Sequence, residues 1–291
     1  MHKESGKVNV RSYFSSSRKP GKLSRHLLAF KNQVLVNLMW ALKVQLRRRR
    51  RIAPVVVSLT SYPQRYETLG LTIKSLLLQS VRPEKLILWI SHEDAKQLPR
   101  GVKVLAEHGL EIRHCEDMKS FKKIVPTMQA FPDSDIVTAD DDIYYWPTWL
   151  EELVIAANEH PGDIIGHRVH EITTDENGGI RPYRQWNFLR NNTERSERNF
   201  ATGIAGVFYP AGCFHPDVLD QTEFRRLCPD ADDVWLYWMV RMNGRFERHS
   251  GTRKQPIPWR GSQKSALWKS NKYANDQQIQ SMTYRYGLPW R

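Results

Sequence analysis

A repeated alternation between two kinds of short run decides most of what this chain can fold into. VVVSLTSY (55–62), KLILWIS (85–91), LEIRHC (110–115) and DIVTA (135–139) are apolar or β-branched runs of strand length. Two of the gaps hold TLGLTIKSLLLQS (68–80) and KKIVPTMQAF (122–131), the first with Leu69, Ile73, Leu76 and Leu77 at helical spacing, and EDAKQL (93–98) adds a short helical piece. Strands that are apolar throughout are covered on both faces. Strands alternating with helices at this spacing predict βαβ units, and hence an α/β fold with a mostly parallel central sheet flanked by helices.

The fourth strand runs straight into Asp140-Asp141-Asp142. Three adjacent carboxylates repel one another, so something must offset the charge. In an open α/β sheet, ligands bind at the carboxyl ends of strands. Alternate residues of an extended segment point the same way, so Asp140 and Asp142 can share a ligand while Asp141 faces elsewhere. Mg²⁺ or Mn²⁺ suits oxygen ligands, and Mg²⁺ commonly completes its shell with substrate phosphate. That pattern fits a pyrophosphate-bearing donor. The competing reading is that Asp141 or Asp142 caps the helix PTWLEEL. The DxD spacing alone is weak, since Asp133–Asp135 and Asp230–Asp232 repeat it. A phosphatase of the haloacid-dehalogenase type wants Thr or Val where this chain has Tyr144.

Downstream, PTWLEELVIAANEH (147–160) and PDADDVWLYWMVRMNG (229–244) read as helices, and 162–200 as short strands with polar turns. ATGIAGVFYPAG (201–212) brings two glycines before an apolar run, which suits close backbone approach to a ligand or a tight turn. The last forty residues are basic and aromatic, with a helix expected near 275–285. Asp232 and Asp233 open the 229–244 helix, where the helix dipole alone favours acids.

The formal net charge of +13 points to an anionic partner: nucleic acid, an anionic membrane surface or a phosphorylated substrate. Three scattered cysteines form neither a CxxC pair nor a zinc set, which implies a reducing compartment. The opening MHKESGKVNV shows no secretory signal. Residues 23–46 predict an amphipathic helix with Leu28, Leu35 and Leu42 on one stripe and Leu27, Val34, Leu38 and Leu46 beside it, followed by Arg47–Arg51. Polar interruptions make it too broken to span a membrane. Two readings stand: an interfacial helix on an anionic leaflet, or a core-packed or oligomer-forming helix whose end is solvated. The domain plan is a polar tail plus basic helix (1–52), a catalytic domain (53–250) and a basic aromatic extension (251–291).

From about 55 to 250 the chain resembles a GT-A-fold glycosyltransferase, similar to the family 2 enzymes of bacterial surface-polysaccharide synthesis. VVVSLTSYPQR, LGLTIKSLLLQSVRPEKLILWIS, KKIVPTMQAFPDSDIVTADDDIYY, TGIAGVFYP and CPDADDVWL carry the resemblance in order. It implies a nucleotide-sugar donor held across the first βαβ units, with Mn²⁺ or Mg²⁺ on the DxD pair Asp140 and Asp142. By match of position it implies donor contacts at Ser61, Arg65, Glu93-Asp94, Asp141, Lys122 or Lys123, and Gly203 and Gly206. For the lysines the alternative is a solvated helix face, and for Asp94 a helix cap in Ser-His-Glu-Asp. It further implies Asp233 as general base, Asp232 as its acidic partner, and His249 as a third metal ligand. Trp235 and Trp186 are candidates to stack on an acceptor sugar, with core packing as the alternative. The chain departs from the family where Ser91-His92-Glu93-Asp94 replaces an Asp pair and Asp-Asp replaces Glu-Asp.

The expected activity is thus an inverting transfer of a sugar to a glycan or lipid-linked acceptor, in the cytoplasm at the inner face of the membrane. Two other classes compete. A nucleic-acid binder would use the basic surface, but no helix-turn-helix, zinc finger or RNP pattern is legible. An inactive glycan-binding scaffold would have no need of the carboxylates.

Overall fold

The computed structural model describes residues 22–43, 51–189, 192–262 and 268–290. The expected polar tail, the end of the predicted first helix at 44–46 and Arg47–Arg50 lie outside the described residues. The helices are α1 (Lys22–Lys43), α2 (Tyr66–Leu77), α3 (His92–Ala95), α4 (Arg100–Lys103), α5 (Val125–Ala130), α6 (Trp149–Glu159), α7 (Gln221–Leu227), α8 (Asp232–Met242) and α9 (Trp268–Tyr286). The strands are β1 (Ile52–Thr60), β2 (Arg82–Ser91), β3 (Leu110–Cys115), β4 (Asp135–Ala139), β5 (Ile143–Tyr144), β6 (Ile164–Gly166), β7 (Val169–Glu171), β8 (Asn187–Leu189), β9 (Asn199–Ala201), β10 (Val207–Tyr209), β11 (Glu247–His249) and β12 (Ile257–Pro258).

Seven strands form the central sheet in the order β11-β6-β10-β4-β1-β2-β3. All but β10 run the same way. The expected α/β architecture, a mostly parallel sheet flanked by helices, is what the chain adopts. The apolar texture of β1 follows from this position, since Val55, Val56, Val57 and Leu59 are all buried and both faces are covered. Helices α2 and α6 pack over one apolar cluster; α8 is nearly wholly buried in a second, with Trp235, Trp238 and Tyr237 inaccessible.

Two features of this topology position the site. The chain goes from β1 to β2 and β3 on one side and returns to β4 on the other, so the sheet reverses between β1 and β4. A crevice opens outside the carboxyl ends of such neighbouring strands. Second, β10 runs antiparallel to β4, with Val207 opposite Thr138. The loop that precedes β10 is thereby delivered to the carboxyl end of β4, beside Asp140.

The first helix settles on a narrower stripe than its leucines suggest. Ala29, Asn32 and Val36 are buried, with Met39 and Trp40 packed on the core alongside. Lys74 Nζ of α2 donates to Asn37 Oδ1 at 3.0 Å. Among the described residues no helix is long and apolar enough to cross a membrane. Helix α7 was not foreseen from the sequence; Asp220 caps it by accepting from Glu223 N–H at 3.0 Å. At the C-terminal end, β12 pairs antiparallel with β5 and brings Trp259 into the core.

Candidate active site

The register of β1 and β4 builds the first part of the site. Leu59 lies opposite Ala139. Two residues further along both strands, Ser61 Oγ donates to Asp141 Oδ2 at 2.6 Å. Arg65, just before α2, pairs with Asp142, and both side chains are almost wholly buried. Asp140 turns the other way, accepting from Lys123 Nζ at 3.1 Å. The three adjacent carboxylates are thus separated by giving each its own partner. Neither Asp141 nor Asp142 caps the following helix, whose N-cap is Thr148.

Lys123 joins this group to the second acidic pair. It is buried, and its ammonium lies 3.0 Å from Asp232 Oδ2 as well as reaching Asp140. Asp233, the next residue in the first turn of α8, accepts the Gly203 backbone N–H with both carboxylate oxygens at 3.1 Å. A Cβ on Gly203 would stand 2.9 Å from Lys123 Nζ, 3.1 Å from Asp233 Oδ1 and 3.7 Å from Asp140 Oδ1. That close approach shows that the two acidic clusters, distant in sequence, meet at one point. Thr202, one residue earlier, is tied to the chain before β7 through its N–H to the Arg168 carbonyl at 2.9 Å.

The electrostatics follow from burial and charge imbalance. Asp140, Asp141, Asp142, Asp232 and Asp233 face Lys123 and Arg65. Burial, with Asp142 beside it, pushes the Asp141 carboxyl up to about 7 despite the Ser61 hydroxyl. Burial and the neighbouring Asp232 likewise push Asp233 up to about 7, opposed by Lys123 and the Gly203 N–H. Burial opposes the charge on Lys123, but Asp140, Asp232 and Asp233 outweigh it and hold the ammonium protonated.

The other expected site residues fall in several places. Lys122 and Lys123 are buried rather than on a solvated face. Lys122 pairs with Asp117 at 2.7 Å and with Asp94 at 3.6 Å. Ser91, not Asp94, is the cap of α3, accepting from Asp94 N–H at 3.1 Å. Ser61 and Arg65 are engaged with Asp141 and Asp142; of the expected acidic pair, Glu93 is exposed and pairs with Lys96 at 2.7 Å, and Asp94 keeps 21% of its side chain exposed beside Lys122. Gly206 adopts φ +94°, and a Cβ there would meet the Trp149 indole at 2.5 Å, so its smallness serves packing under the loop.

His249 is not brought to Asp140 and Asp142. It ends β11, three strands from β4, or about 14 Å across the sheet. Its Nδ1 accepts from Gly251 N–H at 3.0 Å, and its ring also bonds the His167 backbone. Trp235 and Trp186 offer no open ring face to a sugar. Trp235 is inaccessible and donates to the Val218 carbonyl at 3.1 Å. Trp186 packs between Tyr183 and Phe200 and donates to the Arg181 carbonyl at 2.8 Å. Burial in the α8 cluster is the physical reason for both.

Three contributors escaped sequence reasoning. Tyr145 Oη accepts the Asp140 N–H at 2.7 Å. Trp259 N–H donates to the Asp142 carbonyl at 3.0 Å, and the Ser262 carbonyl accepts from Arg65 Nη1 at 3.0 Å. The strand that leads into the last two, β12, is two residues long and leaves no periodic trace.

Of the expected metal ligands Asp140, Asp142 and His249, only Asp140 keeps a partly open side chain. Among the described residues, no group of three His, Cys, Asp or Glu side chains is placed to hold a metal. Asp142 is neutralised by Arg65, whereas Asp140 keeps 28% of its side chain exposed beside an excess of negative charge. Mg²⁺ is commonly held by one or two carboxylates together with substrate phosphates.

No protein-family model and no curated protein sequence matches the chain. Among solved structures it is similar to the crystal structure of S. aureus TarS 1–349, with 12% identity and TM-score 0.47, covering 81% of this chain and 72% of that one. The same S. aureus fragment in complex with UDP is similar at 10% identity and TM-score 0.48, with 81% and 72% covered.

Proposed function

We propose that the chain is a GT-A-type glycosyltransferase that moves a sugar from a nucleotide diphosphate donor to an acceptor hydroxyl with inversion. The observation that carries this reading is the meeting of Asp140, Lys123, Gly203 and Asp233 at the β1/β4 crevice. Asp233 is the general base. Its carboxyl is oriented by the Gly203 N–H and tuned to about 7, near the pH at which a base is both ionised and able to take a proton. It takes the acceptor hydroxyl proton as that oxygen attacks the anomeric carbon, while the bond to the diphosphate breaks. Lys123 is the cation nearest the point where negative charge develops on the leaving group, and it restrains Asp140 and Asp232. Asp94, partly exposed beside Lys122, is the proposed nucleoside contact. Asp140 would hold a Mg²⁺ or Mn²⁺ ion, whose charge would stabilise the leaving diphosphate.

A thermal-shift panel of nucleotide sugars and UDP, with and without Mn²⁺, tests the donor class. A ligand at about 100 times its Kd stabilises the fold by about 2.7 kcal/mol. One nucleotide should stand out, and its shift should grow with Mn²⁺. Product analysis should then show inversion. Absence of a shift with every nucleotide sugar refutes the donor reading; retained configuration refutes Asp233 as base.

A further inference from the structure

Helix α1 has two apolar faces, and only one is covered. Ala29, Asn32 and Val36 are 3%, 6% and 2% exposed against the body of the protein. At about 100° per residue, Leu27, Val34 and Leu38 lie on the opposite side of the helix, with Leu42 beside them. These four are 63%, 50%, 56% and 66% exposed, and Phe30 at the edge of the stripe is 56% exposed. A soluble surface helix normally puts polar residues there. An exposed stripe of this length marks a docking face.

The charge pattern identifies the occupant. From 22 to 51 the sequence holds Lys22, Arg25, Lys31, Lys43 and Arg47–Arg51 without one Asp or Glu. Pairing this face with a second copy of the chain would bring Lys31, the cation that lies among Leu38 and Leu42, against its own kind with no acid of the helix to meet it. A nucleic acid would take the cations but leave the leucines in water. A bilayer rich in anionic lipid takes both, apolar side chains at the acyl boundary and cations at the headgroups. We propose that the outward face of α1 docks the protein on an anionic membrane surface. The docked helix is continuous with the catalytic body. It packs on α2, which begins next to Arg65, and on β12, which leads to the Ser262 carbonyl that Arg65 holds. Membrane attachment would therefore fix the site relative to the bilayer and favour an acceptor carried by a lipid.

The test uses the purified full chain and flotation with phosphatidylcholine vesicles, with and without phosphatidylserine. Wild type should float only with phosphatidylserine, and less as salt rises. Lys31→Glu should weaken flotation several-fold, since each basic residue near the surface contributes roughly fivefold. Leu38→Gln with Leu42→Gln should lose it by at least about tenfold, as two exposed apolar side chains no longer transfer. Because neither residue is buried, this double variant should melt as wild type does. Asp233→Asn should float normally, which separates this inference from the transferase reading. Undiminished flotation of the double variant overturns the proposal. So does a wild-type dimer that the double variant converts to monomer, which would make the face a self-contact. Equal flotation on neutral vesicles overturns the electrostatic half.

Discussion

Asp233→Asn should make the protein more stable at neutral pH while abolishing transfer. The Asp233 carboxyl has an ordinary value of 3.8 and is raised in the folded chain to about 7. Below about pH 4 both folded and unfolded states hold the proton, and the group contributes nothing. Between about 4 and 7 the folded state keeps a proton that the unfolded state has lost, so stability falls as pH rises. The slope is 1.36 kcal/mol per unit, which gives a ceiling of about 4 kcal/mol above pH 7. Asparagine removes that penalty. It also weakens the bond from Gly203 N–H, and a hydrogen bond to a charged group contributes about 1.5–3 kcal/mol. The expected net is about 1–2 kcal/mol at pH 8, or roughly 2–6 °C in Tm for a chain of this size. Melting curves of both proteins from pH 4 to 8 measure it. The difference should be absent or reversed at pH 4 and grow with pH, while transfer falls by about 10²–10⁴. A difference independent of pH, or a variant less stable at pH 8, refutes the claim that Asp233 is held against its own charge.

The strands and the two acidic clusters were legible for the same reason: each is a local pattern. β1, β2 and β4 are uninterrupted apolar runs, and the acids follow or open an element whose period is plain. What joins the clusters is not local. Asp140 meets Asp233 because β10 runs antiparallel to β4, and a three-residue strand carries no sign of its direction. The same limit explains Arg65. Its place after β1 suggested a donor contact, but only the register of β1 with β4 shows that it neutralises Asp142. The tryptophans show the opposite limit. Trp235 and Trp186 are aromatic in the right part of the chain, yet depth decides their role, and composition does not report depth. In α1 the leucine stripe was visible and its direction was not. Ala29, Asn32 and Val36 form the buried stripe with Met39 and Trp40 packed beside it, a direction that the spacing of the leucines does not give.

Arg65→Ala leaves Asp142 buried without its cation, and urea unfolding should show a loss of about 3–5 kcal/mol. Gly203→Ala sets a methyl group against Lys123 and Asp233; steady-state kinetics should show kcat reduced at least about tenfold, with a loss of about 1–3 kcal/mol of stability. Asp140→Ala should remove the Mn²⁺-dependent part of the UDP thermal shift while the metal-free Tm changes little, because its carboxylate is partly exposed. Lys123→Met separates a catalytic lysine from a structural one through the pH profile. The distances from a Cβ on Gly203 place the Lys123 ammonium within about 6 Å of Asp233 Oδ1, and this cation holds the carboxyl down. At an effective dielectric near 20 the interaction is about 3 kcal/mol, so its loss should raise the base by about one to two units. Since the base works only when ionised, the acidic limb of kcat/KM should move to higher pH by that amount. Activity should be depressed most at pH 6–7 and recover in part near pH 9. Asp233→Asn, which has no proton to lose, should show no such limb. A Lys123→Met limb that stays at the wild-type pH would mean that the ammonium does not act on Asp233, and that the lysine serves only to hold Asp140 to Asp232.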